Sequence, residues 1–212
     1  MALEVYVMPL ARYLVGDFEP APLPEGEERY ERPREDVSPE EAAVRVSAMQ
    51  DAMSDSLGRP VRWVDEGDVE FAQCIDVRVL HGLRSLAAAH EYPRRFLFLR
   101  LAFRLLDDPR DHPSLRKIYD GENTAFAHLM RHSDNRGFWF PVDYGEPAES
   151  NEPQWWRIGS AQGLRRELEE LGPLLAQLPD GPDRNVLEEG RVFFMRAAGA
   201  SIERQLPMII EG

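Results

Sequence analysis

The stretch that most limits how this chain can fold runs over residues 93–106. Phe96, Leu97, Phe98, Leu99, Leu101, Ala102, Phe103, Leu105 and Leu106 fill it, with Arg94, Arg95, Arg100 and Arg104 as its charged residues. At helical period such a segment is apolar nearly all round, which predicts a helix at the centre of the core. Its arginines would reach outward along their stems to water or to acids. A centre needs enough chain to surround it. At 212 residues, folding can bury roughly 70% of the extended surface, so a core forms without staples. Apolar residues make up 43% and charged residues 30%, which is ordinary for a globular domain.

The rest of the chain reads as alternating strand and helix signals. Leu3, Val5 and Val7 alternate with Glu4 and Tyr6, a strand period at the N-terminus. Residues 17–37 contain Pro20, Pro22, Pro24 and Pro33 among many acids, so they predict a solvated loop with no helix or central strand. Ser38-Pro39-Glu40-Glu41 is a helix start, with a capping serine, proline at the first position and glutamate where a capping box needs it. Ala42, Val46, Met49, Met53 and Leu57 then line one face, and Gly58 supplies the stop. Residues 61–64 and 69–74 flank Asp65-Glu66-Gly67-Asp68, a hairpin signal. Residues 76–91 predict a helix, and 124–131 a short one. Residues 138–142 predict a strand, at the sheet margin because of Pro141. Ser160 opens a helix seamed by Leu164, Leu168, Leu171, Leu175 and Leu178, with Gly172-Pro173 expected to break or kink it. A helix over 184–204 and a closing strand over 206–210 complete the chain.

Together these predict one α+β domain over 1–212. It has a mixed or antiparallel sheet of about five strands, with four to five helices packed on one face of it.

Thirty-eight acids against 25 bases give a net charge of −13. Lys117 is the sole lysine. That balance argues against binding nucleic acid, whose phosphates need a positive surface. It would attract a basic protein partner, such as a nucleic-acid-cleaving toxin or a DNA-binding protein. Cys74 is the sole cysteine, so the fold does not depend on a disulfide. The N-terminus is broken by Pro9 and Arg12, which does not suit a signal peptide. No apolar run is long enough to span a bilayer. The expectation is a cytoplasmic protein with no membrane partner, its oligomeric state left open.

The densest chemistry lies in residues 128–147. His128 and His132 are four apart, and Asp134 follows. On a helix the two imidazoles would share a face, and with a carboxylate they would suit zinc or non-haem iron. Leu129 stands where a zinc-protease motif has its glutamate, so no general base accompanies them, and the two histidines read first as structural, hydrogen-bonding groups that lock a bend, with the metal site as the alternative. Ser133 and Asp134 serve better as turn builders than as part of a triad. On the strand after them, Phe138 and Phe140 point one way and Trp139 the other. One side is core, and the other places Trp139 near the surface or under a loop; it is a candidate binding anchor, with Asp143 beside it, and a strand buried on both sides explains the aromatics equally well. Trp155 and Trp156, in the next loop, are the second aromatic candidates. Ser160 has no glycine-rich phosphate motif around it and acts as a helix cap.

Three stretches carry a resemblance. They are Val5-Tyr6-Val7-Met8-Pro9-Leu10; His128 to Asp143, read as H-L-x-x-H-S-D-x-x-G-F-W-F-P-V-D; and Ile158-Gly159-Ser160 before the leucine seam. They resemble a group of uncharacterised bacterial proteins with H-S-D-x-x-G-Y-Y-x-P-V-D-F and a later G-S-S. This chain departs in Phe138-Trp139, Tyr144 and Ala161. The resemblance implies no activity, cofactor or site residue; immunity-type proteins are the nearest analogy. With no complete catalytic set and no cofactor implied, the expectation is a non-enzymatic, immunity-type binding protein that meets its partner through acidic surface. The alternative is a metal-dependent enzyme centred on His128, His132 and Asp134. DNA mimicry would need acids in two phosphate-like rows, and the prolines between Asp17 and Glu41 count against it.

Overall fold

The computed structural model describes residues 2–26, 35–92, 124–131, 136–147 and 158–212. The predicted central helix at 93–106, together with His132, Asp134, Trp155 and Trp156, lies outside the described residues.

The alternation at the N-terminus produces β1 (Ala2–Val7), which leads into a short helix α1 (Leu10–Val15). The Ser38 signal produces α2 (Pro39–Leu57). Ser38 Oγ accepts the Glu41 N–H, and Gly58 ends the helix at φ 62°. Next come β2 (Phe71–Asp76), then α3 (Val77–Glu91), capped by the Asp76 carboxylate on the Arg78 N–H. A single turn, α4 (Ala127–Met130), precedes β3 (Arg136–Phe140). β4 (Ile158–Ser160) runs directly into α5 (Ala161–Leu175), where Ser160 Oγ accepts the Gly163 N–H. α6 (Pro182–Arg204) and β5 (Met208–Glu211) close the chain.

The five strands form one mixed sheet in the order β2-β1-β5-β3-β4. β3 and β4 are parallel, and the other pairs are antiparallel. The α+β expectation is met, with six helices among the described residues. The helices, however, cover both faces. On one face Leu3, Val5, Val7, Trp139, Met208 and Ile210 pack with α3, α4, α5 and α6. On the other, Tyr6, Phe138, Phe140, Ile158 and Ile209 pack with α1, α2, Val61 and Trp63. A sheet apolar on both sides needs a layer on each, which a one-faced arrangement cannot supply.

Several local expectations change for the same reason. Residues 61–70 make no strand, because their backbone bonds elsewhere. The Val61 N–H donates to Ser54 Oγ (2.8 Å), Gln50 Nε2 donates to the Trp63 carbonyl (3.1 Å), and the Val64 N–H donates to the Gln205 carbonyl (2.8 Å). β2 pairs with β1 instead. β3 lies between β5 and β4, with Pro141 just past its end, so the strand is internal rather than marginal. Trp139 is 1% exposed and lies in the core, not at the surface. Pro173 sits inside α5 without ending it. α3 has ten buried positions spread round its axis, so it is itself a core helix.

Candidate functional site

Two features of the described residues are candidates, one internal and one on the surface. The internal one is built around α4. A four-residue helix cannot hold itself together, and here its main-chain groups are bonded by three neighbouring elements. The Glu167 carboxylate, from α5, accepts the His128 N–H (2.8 Å) and the Leu129 N–H (2.7 Å). Trp139 Nε1, from β3, donates to the His128 carbonyl (3.0 Å). Arg84 Nε, from α3, donates to the Leu129 carbonyl (2.9 Å), and Arg84 is fully buried.

The His128 ring is 2% exposed, and both of its nitrogens are engaged. Nδ1 accepts the Ser160 N–H (3.1 Å), which leaves the proton on Nε2, facing the Tyr144 carbonyl at 3.1 Å. That fixes one neutral tautomer. Burial pushes its pKa down to about 4. Burial pushes the Glu167 carboxyl up to about 8, against the pull of its two backbone donors. The ring lies on the first turn of α5 at Gly163, where a side chain would overlap it. The arrangement locks β3, β4 and α5 around one corner. A metal at His128 would have to displace a backbone partner from the ring. Among the described residues, no group of three or more His, Cys, Asp or Glu is placed to hold a metal.

Asp143 is exposed and pairs with Arg166 at 2.7 Å, which holds its pKa below the usual carboxylate range. Its carbonyl accepts from Arg59. Trp139, by contrast, is buried in the layer of α3, α4, α5 and α6. Glu167 and Arg84 carry the corner, yet neither stood out from the sequence as a site residue. The signal was present: Glu167 stands between Leu164, Leu168 and Leu171, and Arg84 beside Leu80, Leu83 and Ala87. A charged residue on an apolar stripe marks a buried bond.

The surface candidate is the outer side of the α1/α2 layer. Residues 8–26 and 35–70, which form this layer, hold thirteen acids against four arginines. The helical layer across the sheet, residues 77–92, 124–131 and 161–204, holds nine acids against nine arginines. Among the described residues the negative excess is therefore on one side. The four arginines are committed locally. Arg12 bonds the Asp17 and Gly67 carbonyls (3.0 and 3.1 Å) and pairs with Asp17 and Asp68 (3.4 and 3.7 Å). Arg45 meets Glu35 (2.8 Å) and Glu41 (2.5 Å), Arg62 meets Asp51 (2.8 Å), and Arg59 reaches the Asp143 carbonyl. Asp65 caps α1 through the Ala11 N–H (3.1 Å), tying the 65–70 segment to that helix. Glu19, Glu25, Asp36, Glu40, Asp55 and Glu66 are exposed and have no ion pair among the described residues.

Among family models, the one described as "Putative DNA-mimic protein" matches residues 1–210. No curated protein and no solved structure matches the chain. The match overturns the partner expectation. A DNA-mimic family implies a DNA-binding protein as the partner, not a partner defined by basic charge. The objection from the proline-broken run between Asp17 and Glu41 falls with it. That run is not the whole acidic surface, since α2 and residues 65–70 lie in the same layer. Among the described residues, no helix is long and apolar enough to cross a membrane.

Proposed function

The chain belongs to this DNA-mimic family, and from that premise we propose that it is a non-enzymatic, immunity-type protein that occupies the duplex-binding surface of a DNA-binding protein and keeps DNA off it. The contact surface is the outer side of the α1/α2 layer. The carrying observation is the one-sided charge, with thirteen acids against four arginines there and an even balance across the sheet. A duplex carries one negative charge per about 1.7 Å of its axis, and proteins that bind it present cations for those phosphates. A carboxylate layer on a rigid sheet offers those cations a substitute whose acids are already in place, which limits the ordering cost of binding. Glu40, Val44, Ser47, Asp51 and Asp55 share one exposed stripe of α2. Val44, 67% exposed, supplies an apolar contact within it.

The test uses proteins of the source cell that DNA-cellulose retains. They are passed over the immobilised full chain and challenged with duplex DNA. At least one protein should be held and then released by the duplex. The triple variant Glu40→Gln, Asp55→Asn, Glu66→Gln should hold less of it, while Asp183→Asn with Glu203→Gln, on the opposite layer, should hold as much as wild type. Retention that persists at saturating duplex, or no retention at all, would overturn the reading.

A further inference from the structure

The opposite layer has its own unpartnered face. Along the outside of α6, Glu188, Glu189, Val192, Phe193 and Arg196 line an open groove of about 300 Å³. Val192 is 45% exposed and Val186 36% exposed. Phe193 is half-buried, with its ring edge-on to Phe71 at 5.4 Å. We propose that this face pairs with a second copy of the chain, with two α6 helices packed antiparallel about a two-fold axis between Val192 and Phe193.

The sequence of the face is complementary to itself under that symmetry. Such an axis places each residue opposite the one equally far on its other side. Glu189 then stands opposite Arg196 of the partner subunit, and Arg196 opposite Glu189 of the partner subunit. Within one helix the two are seven residues apart, about 10.5 Å along the axis, too far to pair. Neither has an ion pair among the described residues; Arg196 instead lies over the Phe71 ring, 5.9 Å from its centre. The same axis sets Val186 opposite Gly199 of the partner subunit. Gly199 has nothing within 4 Å of where a Cβ would be, so a valine from outside can reach backbone there. Val192 meets Phe193 of the partner subunit at the centre, where the groove lies. At 23 residues, α6 is long enough to carry all of these contacts. The acidic layer is on the other face of the sheet, so pairing leaves it clear.

Sedimentation of the full chain at about 100 µM populates any dimer tighter than about 10 µM. The wild type should sediment as twice 24.3 kDa. Glu189→Arg alone or Arg196→Glu alone sets like charges face to face twice per dimer and should weaken association by about tenfold or more. The double exchange, Glu189→Arg with Arg196→Glu, restores opposite charges and should restore the dimer. All three changes are on exposed positions, and an unchanged far-UV circular dichroism spectrum verifies folding. A wild type that stays monomeric, single reversals that leave the dimer intact, or a double exchange that fails to restore it would each overturn the proposal.

Discussion

Gly163→Ala tests the His128 corner because two physical effects predict opposite signs. In an exposed helix interior, replacing glycine by alanine stabilises by about 1 kcal/mol. At Gly163 the new Cβ would overlap His128 Cδ2 and Nε2 and stand 2.9 Å from Cγ. The ring cannot swing aside freely, since Nδ1 holds the Ser160 N–H and Nε2 the Tyr144 carbonyl. Moving it leaves both buried backbone groups short of a partner, at about 1–3 kcal/mol each. Less the helix gain, the net is about 1–5 kcal/mol of destabilisation, or a Tm lower by about 2–20 °C in a chain this size. Urea unfolding followed by far-UV circular dichroism should show a lower midpoint at unchanged slope. Repeating the substitution in a His128→Ala background separates the causes. With the ring gone, Gly163→Ala should be neutral or mildly stabilising, and the two changes should be strongly non-additive. A midpoint equal to or above wild type, or the same loss in both backgrounds, would refute the reasoning.

Glu167 sets a pH dependence. Its carboxyl lies at about 8 in the folded chain against an ordinary 4.5, so its contribution is full below pH 4.5 and is lost as pH rises through 8. His128, lowered from 6.5 to about 4, acts the other way, with a contribution full above pH 6.5 and lost as pH falls through 4. Between pH 6.5 and 8 only the glutamate slope remains of the two, so the wild-type urea midpoint should fall there and the Glu167→Gln midpoint should stay nearly level. Gly190→Ala would drive a Cβ into Val79 Cγ1 where α3 and α6 touch; it should destabilise by about 1–3 kcal/mol, and Val79→Ala in the same chain should recover most of the lost midpoint. Ser38→Ala removes the acceptor for the Glu41 N–H; about 1 kcal/mol should be lost, with faster amide exchange confined to the first turn of α2.

Where the determinants are local, structure and sequence agree closely. α2 starts at a capping serine and stops at a glycine in the left-handed region, and its buried Ala42, Val46, Met49 and Met53 are the residues that repeat at helical spacing. α3 and α5 likewise begin at side-chain caps, Asp76 and Ser160. Disagreement begins where partners are distant. The hairpin expected at 61–74 fails because Ser54, Gln50 and Gln205, from two other elements, take the backbone groups a hairpin would use. For Trp139 alternation left a surface anchor and a strand buried on both sides equally open, because it identifies two faces but cannot say whether both are covered; the structure has the second. For His128 the spacing left a metal ligand open beside the favoured structural histidine, and the Ser160 N–H and Tyr144 carbonyl that occupy its ring were not visible in sequence.

By itself the amino-acid order determined the caps, the helical stripes, the strand alternation and the excess of acids, since each depends on neighbours within a few residues. Only the tertiary structure decided that the last strand, β5, sits at the centre between β1 and β3. It also decided that Glu167 bonds the N–H groups of His128 and Leu129, nearly forty positions away, and that among the described residues the negative excess gathers on one side of the sheet. These outcomes depend on which surfaces find each other once both faces of the sheet must be covered, and no window along the chain contains both partners.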